Sequence, residues 1–257
     1  VEIMGSQLDG TVALVTGASS GIGTATAEAL AELGAMVALA ARRTERITEL
    51  ADKIRAAGGQ ALAITADVTS EPEARGAVER TVAEFGRLDT LVNNAGVMLL
   101  GPAVGAPLGE WQNMVDLNLS GLLYCTHAAL PYLLEAAASD PRQVADLVNV
   151  SSVAGRVPRN GSAVYNATKH GVGAFSEALR QEVTRRHLRV SVIEPGAVDT
   201  ELVSHNRPEV QARHHERFAQ TQKMAATDIA ETIAFVISRP RHMSINEILI
   251  RPTEQDN

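Results

Sequence analysis

Short runs of β-branched and aliphatic residues alternate along this chain with longer segments in which apolar residues return every three to four positions. The runs Val12–Thr16, Met36–Ala41, Ala61–Thr65, Thr90–Asn93, Ala145–Val150, Arg189–Glu194 and Glu247–Ile250 read as seven strands. Several are apolar at nearly every position, as parallel strands covered on both faces must be. Between them, Gly21–Leu33, Thr44–Ala57, Glu71–Phe85, Leu108–Leu134, Ala163–Arg186 and Thr227–Ser238 have helical period. Gly34, Gly58 and Gly86 follow the first three helices where a left-handed C-terminal cap is wanted. Strand and helix in repeated alternation predict an α/β fold, a doubly wound seven-stranded parallel sheet flanked by helices. Right-handed crossovers would reverse the winding after the first strand and open a ligand crevice at the carboxyl ends of the strands.

Composition narrows the picture. The chain has 257 residues, 45% of them hydrophobic, with no internal repeat, which predicts one domain over 8–257 with one sizeable core. Its 23 basic and 30 acidic residues leave a net charge of −7, and the basic residues are scattered, so nucleic acid is not an expected partner. The single cysteine, Cys125, lies in an apolar helical stretch and reads as a buried, inert thiol. No 18-residue apolar run and no signal-like segment is present, so no membrane partner is expected and a reducing cytoplasm is the expected address. Residues 1–7 lack periodicity, and Val1 ahead of Met4 reads as a disordered or added start.

Chemistry collects at the strand ends. The first strand runs into Thr16-Gly17-Ala18-Ser19-Ser20-Gly21-Ile22-Gly23 and then directly into a helix. Glycines there let backbone approach a ligand, and a helix N-terminus offers unpaired N–H groups to a pyrophosphate, although the spacing is not G-x-G-x-x-G. Tyr165 and Lys169 stand four apart on one helical face. A phenol ionises near pH 10 and is a poor base at neutral pH, but a neighbouring ammonium pulls its pKa down. Tyr165 is then a candidate general acid and base. Ser152, thirteen residues earlier, is placed to hold the substrate oxygen, with Ser151 as its rival.

The glycine loop, Asn93-Asn94-Ala95-Gly96, Ser152, Tyr165-x-x-x-Lys169 and Pro195-Gly196, in that order, resemble the short-chain dehydrogenase/reductase family, from about Leu8 to Arg251. That resemblance implies a Rossmann-type fold and hydride transfer between a nicotinamide cofactor and a small carbonyl or alcohol. It favours Ser152 over Ser151 and makes Asn118 the residue that positions a water linked to Lys169. It assigns Gly17, Ser19, Ser20, Gly21, Ile22 and Gly23 to the cofactor's phosphates, and Asp67 with Val68 to its adenine. Asn94, Ala95, Gly96, Pro195, Gly196, Val198 and Thr200 would line the ribose and nicotinamide side, while Tyr165 and Lys169 reach the nicotinamide ribose.

Family members that use NAD carry an acid where this chain has Ala41, and Arg42 instead offers a planar cation suited to a 2′-phosphate, with Arg43 beside it at the cofactor, so NADP(H) is expected over NAD(H). Against this, Ser20 stands where NADP-using members often carry a basic residue, and the two arginines can equally be a solvated helix start. The family's oligomers imply a homotetramer or homodimer through the long helices at Leu108–Leu134 and Ala163–Arg186. Segments near Ala40–Arg43, Asn94–Pro102 and Asn246–Thr253 are similar to those of the clavulanic-acid-pathway aldehyde reductases and of 3-hydroxy acid dehydrogenases.

Residues from about 200 to 224 read as a lid. Its His214-His215 pair lacks the carboxylate partners of a metal site and reads as solvated, so no metal is expected. Met98, Leu99 and Leu100 are either pocket wall or core. Arg156 and Arg159 either meet an anionic substrate or belong to a solvated loop. A cofactor-sensing binding protein without turnover is the alternative function, and retention of both Tyr165 and Lys169 speaks against it.

Overall fold

Alternation along a buried strand sends Val12 and Leu14 of β1 (Val12–Thr16) to one face of the sheet and Ala13 and Val15 to the other, where each pair joins a separate apolar core. The computed structural model describes residues 7–256, so the expectation for the N-terminal segment concerns residues that lie, apart from Gln7, outside the described ones. The remaining strands are β2 (Met36–Ala41), β3 (Ala61–Thr65), β4 (Thr90–Asn93), β5 (Ala145–Val150), β6 (Leu188–Pro195) and β7 (Glu247–Ile250). All seven pair in parallel in the order β3-β2-β1-β4-β5-β6-β7, the doubly wound sheet expected from the sequence. The winding reverses between β1 and β4, which places a crevice at their carboxyl ends.

One core lies under α1 (Gly21–Glu32), α2 (Thr44–Ala56) and α8 (Ala226–Ile237), with Leu30, Ile47 and Ile233 fully buried. The other lies under α3 (Glu71–Phe85), α5 (Gly121–Ala137) and α6 (Ala163–Val183), where Val78, Leu133 and Leu179 meet Leu14 and Leu147. Full burial of one such side chain is worth about 1.5–3 kcal/mol, so the two faces supply most of the driving force. Cys125 is buried in the second core, and burial pushes its thiol up to about 12, which keeps it protonated and inert.

Two stretches depart from the sequence reading. The segment expected as one helix over Leu108–Leu134 is α4 (Leu108–Val115), a π-helical turn (Asp116–Ser120) and then α5. An apolar period continues through a π turn with little change, so periodicity does not reveal it, although it breaks the i→i−4 hydrogen-bond ladder. The segment expected as a lid contains a further helix, α7 (Pro208–Arg217), with Pro208 at its first position; its polar composition hides a helical period that buries only Val210. Among the described residues no helix is long and apolar enough to cross a membrane.

Candidate active site

A cleft of about 680 Å³ opens at the carboxyl ends of the strands, and every residue expected in the site except Gly23 and Asn118 lines it. Gly23 is required for a different reason: a Cβ there would collide with the carbonyl of Gly17 and the side-chain amide of Asn94, so its glycine serves the packing of the turn rather than a ligand. Gly17 has φ +65° and faces Ala95, whose Cα would lie 2.8 Å from an added Cβ. Asn94 stitches the two loops together, donating from Nδ2 to the carbonyl of Thr16 at 3.0 Å while Thr16 Oγ1 accepts from the N–H groups of Asn94 and Ala95.

The N-terminus of α1 points into the cleft with no acidic residue in its first turn, and Ser20 at its cap makes no capping hydrogen bond with its side chain. Unpaired helix N–H groups beside glycine backbone fit a pyrophosphate. Thr200 closes over the same place, with its Cγ2 3.1 Å from where a Cβ on Gly21 would stand.

Beyond β2 the two arginines divide. Arg42 is exposed, with Nη1 3.8 Å from Asp67 Oδ2. Arg43 turns back over the glycine loop, donating from Nε to Ser19 Oγ at 3.0 Å and from Nη2 to Ser20 Oγ at 2.7 Å. Its Nη1 reaches Glu201 at 2.7 Å, and Arg46 Nη1 meets the other oxygen of the same carboxylate at 2.7 Å. The two cations hold the Glu201 carboxyl down to about 2. Guanidinium and two hydroxyls form a cationic cradle beside the glycine loop that suits a phosphate.

The residues expected to carry the proton chemistry gather where β5 ends. Ser152 begins a short 3₁₀ turn (Val153–Gly155), and its Oγ accepts from the N–H of Ala154 at 3.1 Å. Ser151 donates its hydroxyl to the carbonyl of Lys169 at 3.1 Å and so serves the helix. Tyr165 and Lys169 project from α6, and both are buried. Burial pushes the Tyr165 phenol up, while a hydrogen bond with Ser152 pulls it down. Burial lowers Lys169 to about 8; its Nζ donates to the carbonyl of Val150 at 2.9 Å and lies 5.8 Å from the centre of the Tyr165 ring. Val97 and Met114 pack against Tyr165.

Asn118 sits on the π turn behind these residues and is buried. Its side chain is engaged with Val97, accepting from the N–H at 2.7 Å and donating to the carbonyl at 2.8 Å. It also donates to Thr168 Oγ1 at 3.3 Å, so the side chain is fully engaged within the protein, which spacing along the chain does not disclose. Asn93 donates to Thr126 and Asn149, each at 2.9 Å, and Asn149 passes the chain on to Ser176, so β4 and β5 are tied to α5 and α6 through a buried polar line.

The segment expected as a lid rises between Val198 and Met224, which pair as an isolated bridge at its base. Asn206, which the sequence pattern does not single out, clamps it to the opposite wall by accepting from the N–H of Leu100 at 2.7 Å and donating to the carbonyl of Met98 at 2.8 Å. An asparagine just ahead of Arg207-Pro208, where a helix starts, was the available signal. Met98 and Leu100 are therefore wall, while Leu99 packs beside them. Arg156 is not a substrate contact: it is held by Glu194 at 2.7 Å and by Glu247. Arg159 does line the cleft.

Residues 11–211 match the family model of the short chain dehydrogenases. The chain belongs to the short-chain dehydrogenases. An uncharacterised oxidoreductase of Staphylococcus saprophyticus is 38% identical over 248 residues, covering 95% of this chain and 96% of that protein. Among solved structures, a closed form of serine dehydrogenase complexed with NADP+ has a TM-score of 0.85 at 32% identity, covering 96% of this chain and 97% of that one. A 3-ketoacyl-(acyl-carrier-protein) reductase from Brucella melitensis complexed with NADH has a TM-score of 0.84 at 30% identity, covering 95% of this chain and 98% of that one. This short-chain dehydrogenase is thus an oxidoreductase by family, with a doubly wound sheet and a strand-end cleft.

Proposed function

We propose that this short-chain dehydrogenase interconverts a small carbonyl compound and its alcohol with NADP(H) as the preferred cofactor. The observation that carries the reading is the burial of Tyr165, Lys169 and Ser152 together in the cleft, beside a glycine turn whose helix N-terminus is free of acids. When bound, the nicotinamide supplies or accepts the hydride. Ser152 holds the substrate oxygen, and Tyr165 donates a proton to it in reduction and removes one in oxidation.

Lys169, protonated below about 8, favours the phenolate that reduction leaves behind. Asn118 acts through its backbone as the outer end of a proton path, next to Gly96 and Lys169. Arg43, with Ser19 and Ser20, receives the 2′-phosphate, and Arg42 adds charge at the rim. The relatives complexed with NADP+ and with NADH each carry a nicotinamide cofactor, which supports the class and leaves the preference resting on Arg43. Assembly as a homo-oligomer through α4, α5 and α6 is part of the same reading, supported by exposed Leu108 and Val115 on α4.

The test is consumption of NADPH and of NADH, followed at 340 nm, against a panel of aldehydes, ketones and 3-oxo acids. Turnover is expected with NADPH first, and Tyr165→Phe is expected to lower kcat by about 10²–10⁴, the range of a lost general acid. Cofactor binding without turnover across the panel would overturn the reading in favour of a sensor.

A further inference from the structure

The lid end of the cleft carries a charge pattern that the hydride chemistry does not use. Arg159 lines the cleft, and its Nη2 is buried with no hydrogen-bond partner among the described residues. Its own backbone is fixed close to the catalytic helix: the carbonyl of Arg159 accepts from Ser162 Oγ at 3.0 Å and from Asn166 Nδ2 at 3.2 Å, and Asn166 is the neighbour of Tyr165. The backbone of Arg159 is therefore anchored at the first turn of α6, and its side chain lines the same cleft as Tyr165.

Among the described residues no acid lining the cleft compensates it. The carboxylates that line the cleft are Asp67 and Glu201, and both stand near the arginines that follow β2. Around Arg159 the charges are mostly of its own sign: burial first, then Arg217 and Arg251, lower its affinity for a proton, and Asp256 is the weakest influence and the one that acts the other way. Arg251 also has a buried Nε without a partner among those residues. His214, on α7, is lowered to about 4 by burial and by Lys223, His215 and Arg217, so it is neutral at working pH and adds no charge of either sign. A buried, unpaired guanidinium nitrogen is costly to keep unless something arrives to bond it. The guanidinium fork matches a carboxylate, and a single orphaned nitrogen suits one monoanionic group.

We propose that Arg159 forms a carboxylate subsite at the lid end of the cleft, so that the natural substrate is an oxo acid or hydroxy acid small enough for the cleft to hold beside the cofactor. The proposal rests on the oxidoreductase reading above and specifies its substrate class. Arg156 has no share in it, being committed to Glu194 and Glu247.

The experiment compares short 3-oxo and ω-oxo acids with their methyl esters, using NADPH and the wild-type, Arg159→Lys and Arg159→Ala proteins. The acids are expected to exceed their esters in kcat/KM by tenfold or more in the wild type. Arg159→Ala is expected to erase that ratio through KM, leaving the esters within twofold, and Arg159→Lys to restore part of it. In parallel, 3-hydroxybutyrate and its methyl ester are titrated calorimetrically into NADP+-saturated Tyr165→Phe protein, with and without Arg159→Ala. Binding of the acid alone, lost with Arg159, supports the subsite. Equal handling of acid and ester, or an equal loss on both in Arg159→Ala, overturns it. If no compound is turned over, the proposed reaction fails, and the calorimetric pair still decides whether the carboxylate is bound.

Discussion

Lys169 is an ammonium kept at 7% exposure, and its position sets a conflict between stability and chemistry. Its folded pKa of about 8 lies below the 10.5 of an unhindered lysine, so between those values the unfolded chain binds more protons and stability rises with pH. Below about 8 both states are charged and the full cost of burial is present. Because a tenfold change in proton affinity is worth roughly 1.4 kcal/mol, removing the charge recovers at most about 3 kcal/mol, less whatever the lost bond to the carbonyl of Val150 contributes. Lys169→Met is therefore expected to abolish turnover while raising the midpoint of thermal unfolding at pH 7; a lower midpoint would show that the bond to Val150 outweighs the buried charge. The same residue sets the pH profile. Reduction needs Tyr165 protonated and Lys169 charged, so its kcat is expected to fall as pH rises through about 8, where the ammonium that favours the departing phenolate is lost; stopped-time assays of reduction at constant ionic strength check this, a flat profile through that value being the contrary outcome. Tyr165 and Lys169 were legible in the sequence because four residues is one helical turn. The engagement of Asn118 with Val97 was not, since that bond joins positions 21 apart.

At the scale of elements, the proposed cofactor preference rests on the residues that follow β2 and on the Glu201 that holds them. Arg42 and Arg43 both follow β2, but only Arg43, the residue that caps α2, bends over the glycine loop to Ser19 and Ser20. Arg43→Ala is accordingly expected to weaken NADPH binding about ten- to hundredfold, the worth of charge-assisted hydrogen bonds, and to leave NADH within about twofold, as read by nucleotide fluorescence titration. Arg42→Ala should cost less, and the reverse order would move the 2′-phosphate to Arg42. Glu201 holds Arg43 and Arg46 from the lid side, an ion-pair cluster at the surface whose partners lie 158 and 155 residues apart. The lid's own helix α7 and its clamp at Asn206 were equally hidden, because a polar segment gains its shape from the wall it touches rather than from its period.

Across the whole molecule, the amino end of the sheet is locked by a buried ion pair. Arg189 at the start of β6 meets Asp146 of β5 through two bonds of 2.7 and 2.9 Å, and also donates to the carbonyls of Ile237, Arg239 and Met243. It thereby fastens the end of α8 to the sheet on the side away from the cleft. Removing one partner strands the other, so Arg189→Met is expected to cost about 3–5 kcal/mol in urea unfolding with the kinetic constants of the folded enzyme unchanged. A loss below about 1 kcal/mol would mean that Asp146 is adequately held by Arg142 at 3.1 Å. The amino-acid sequence alone determined the seven strands, their parallel order of winding and the cleft at their carboxyl ends, since those follow from period and from the handedness of crossovers. Tertiary structure decided what each side chain touches: Ser151 the carbonyl of Lys169, Arg43 the hydroxyls of Ser19 and Ser20, Arg156 the carboxylate of Glu194; it also decided between one long helix and two joined by a π turn. Each choice depends on a side chain or a backbone turn meeting a partner far along the chain, and no local period encodes that meeting.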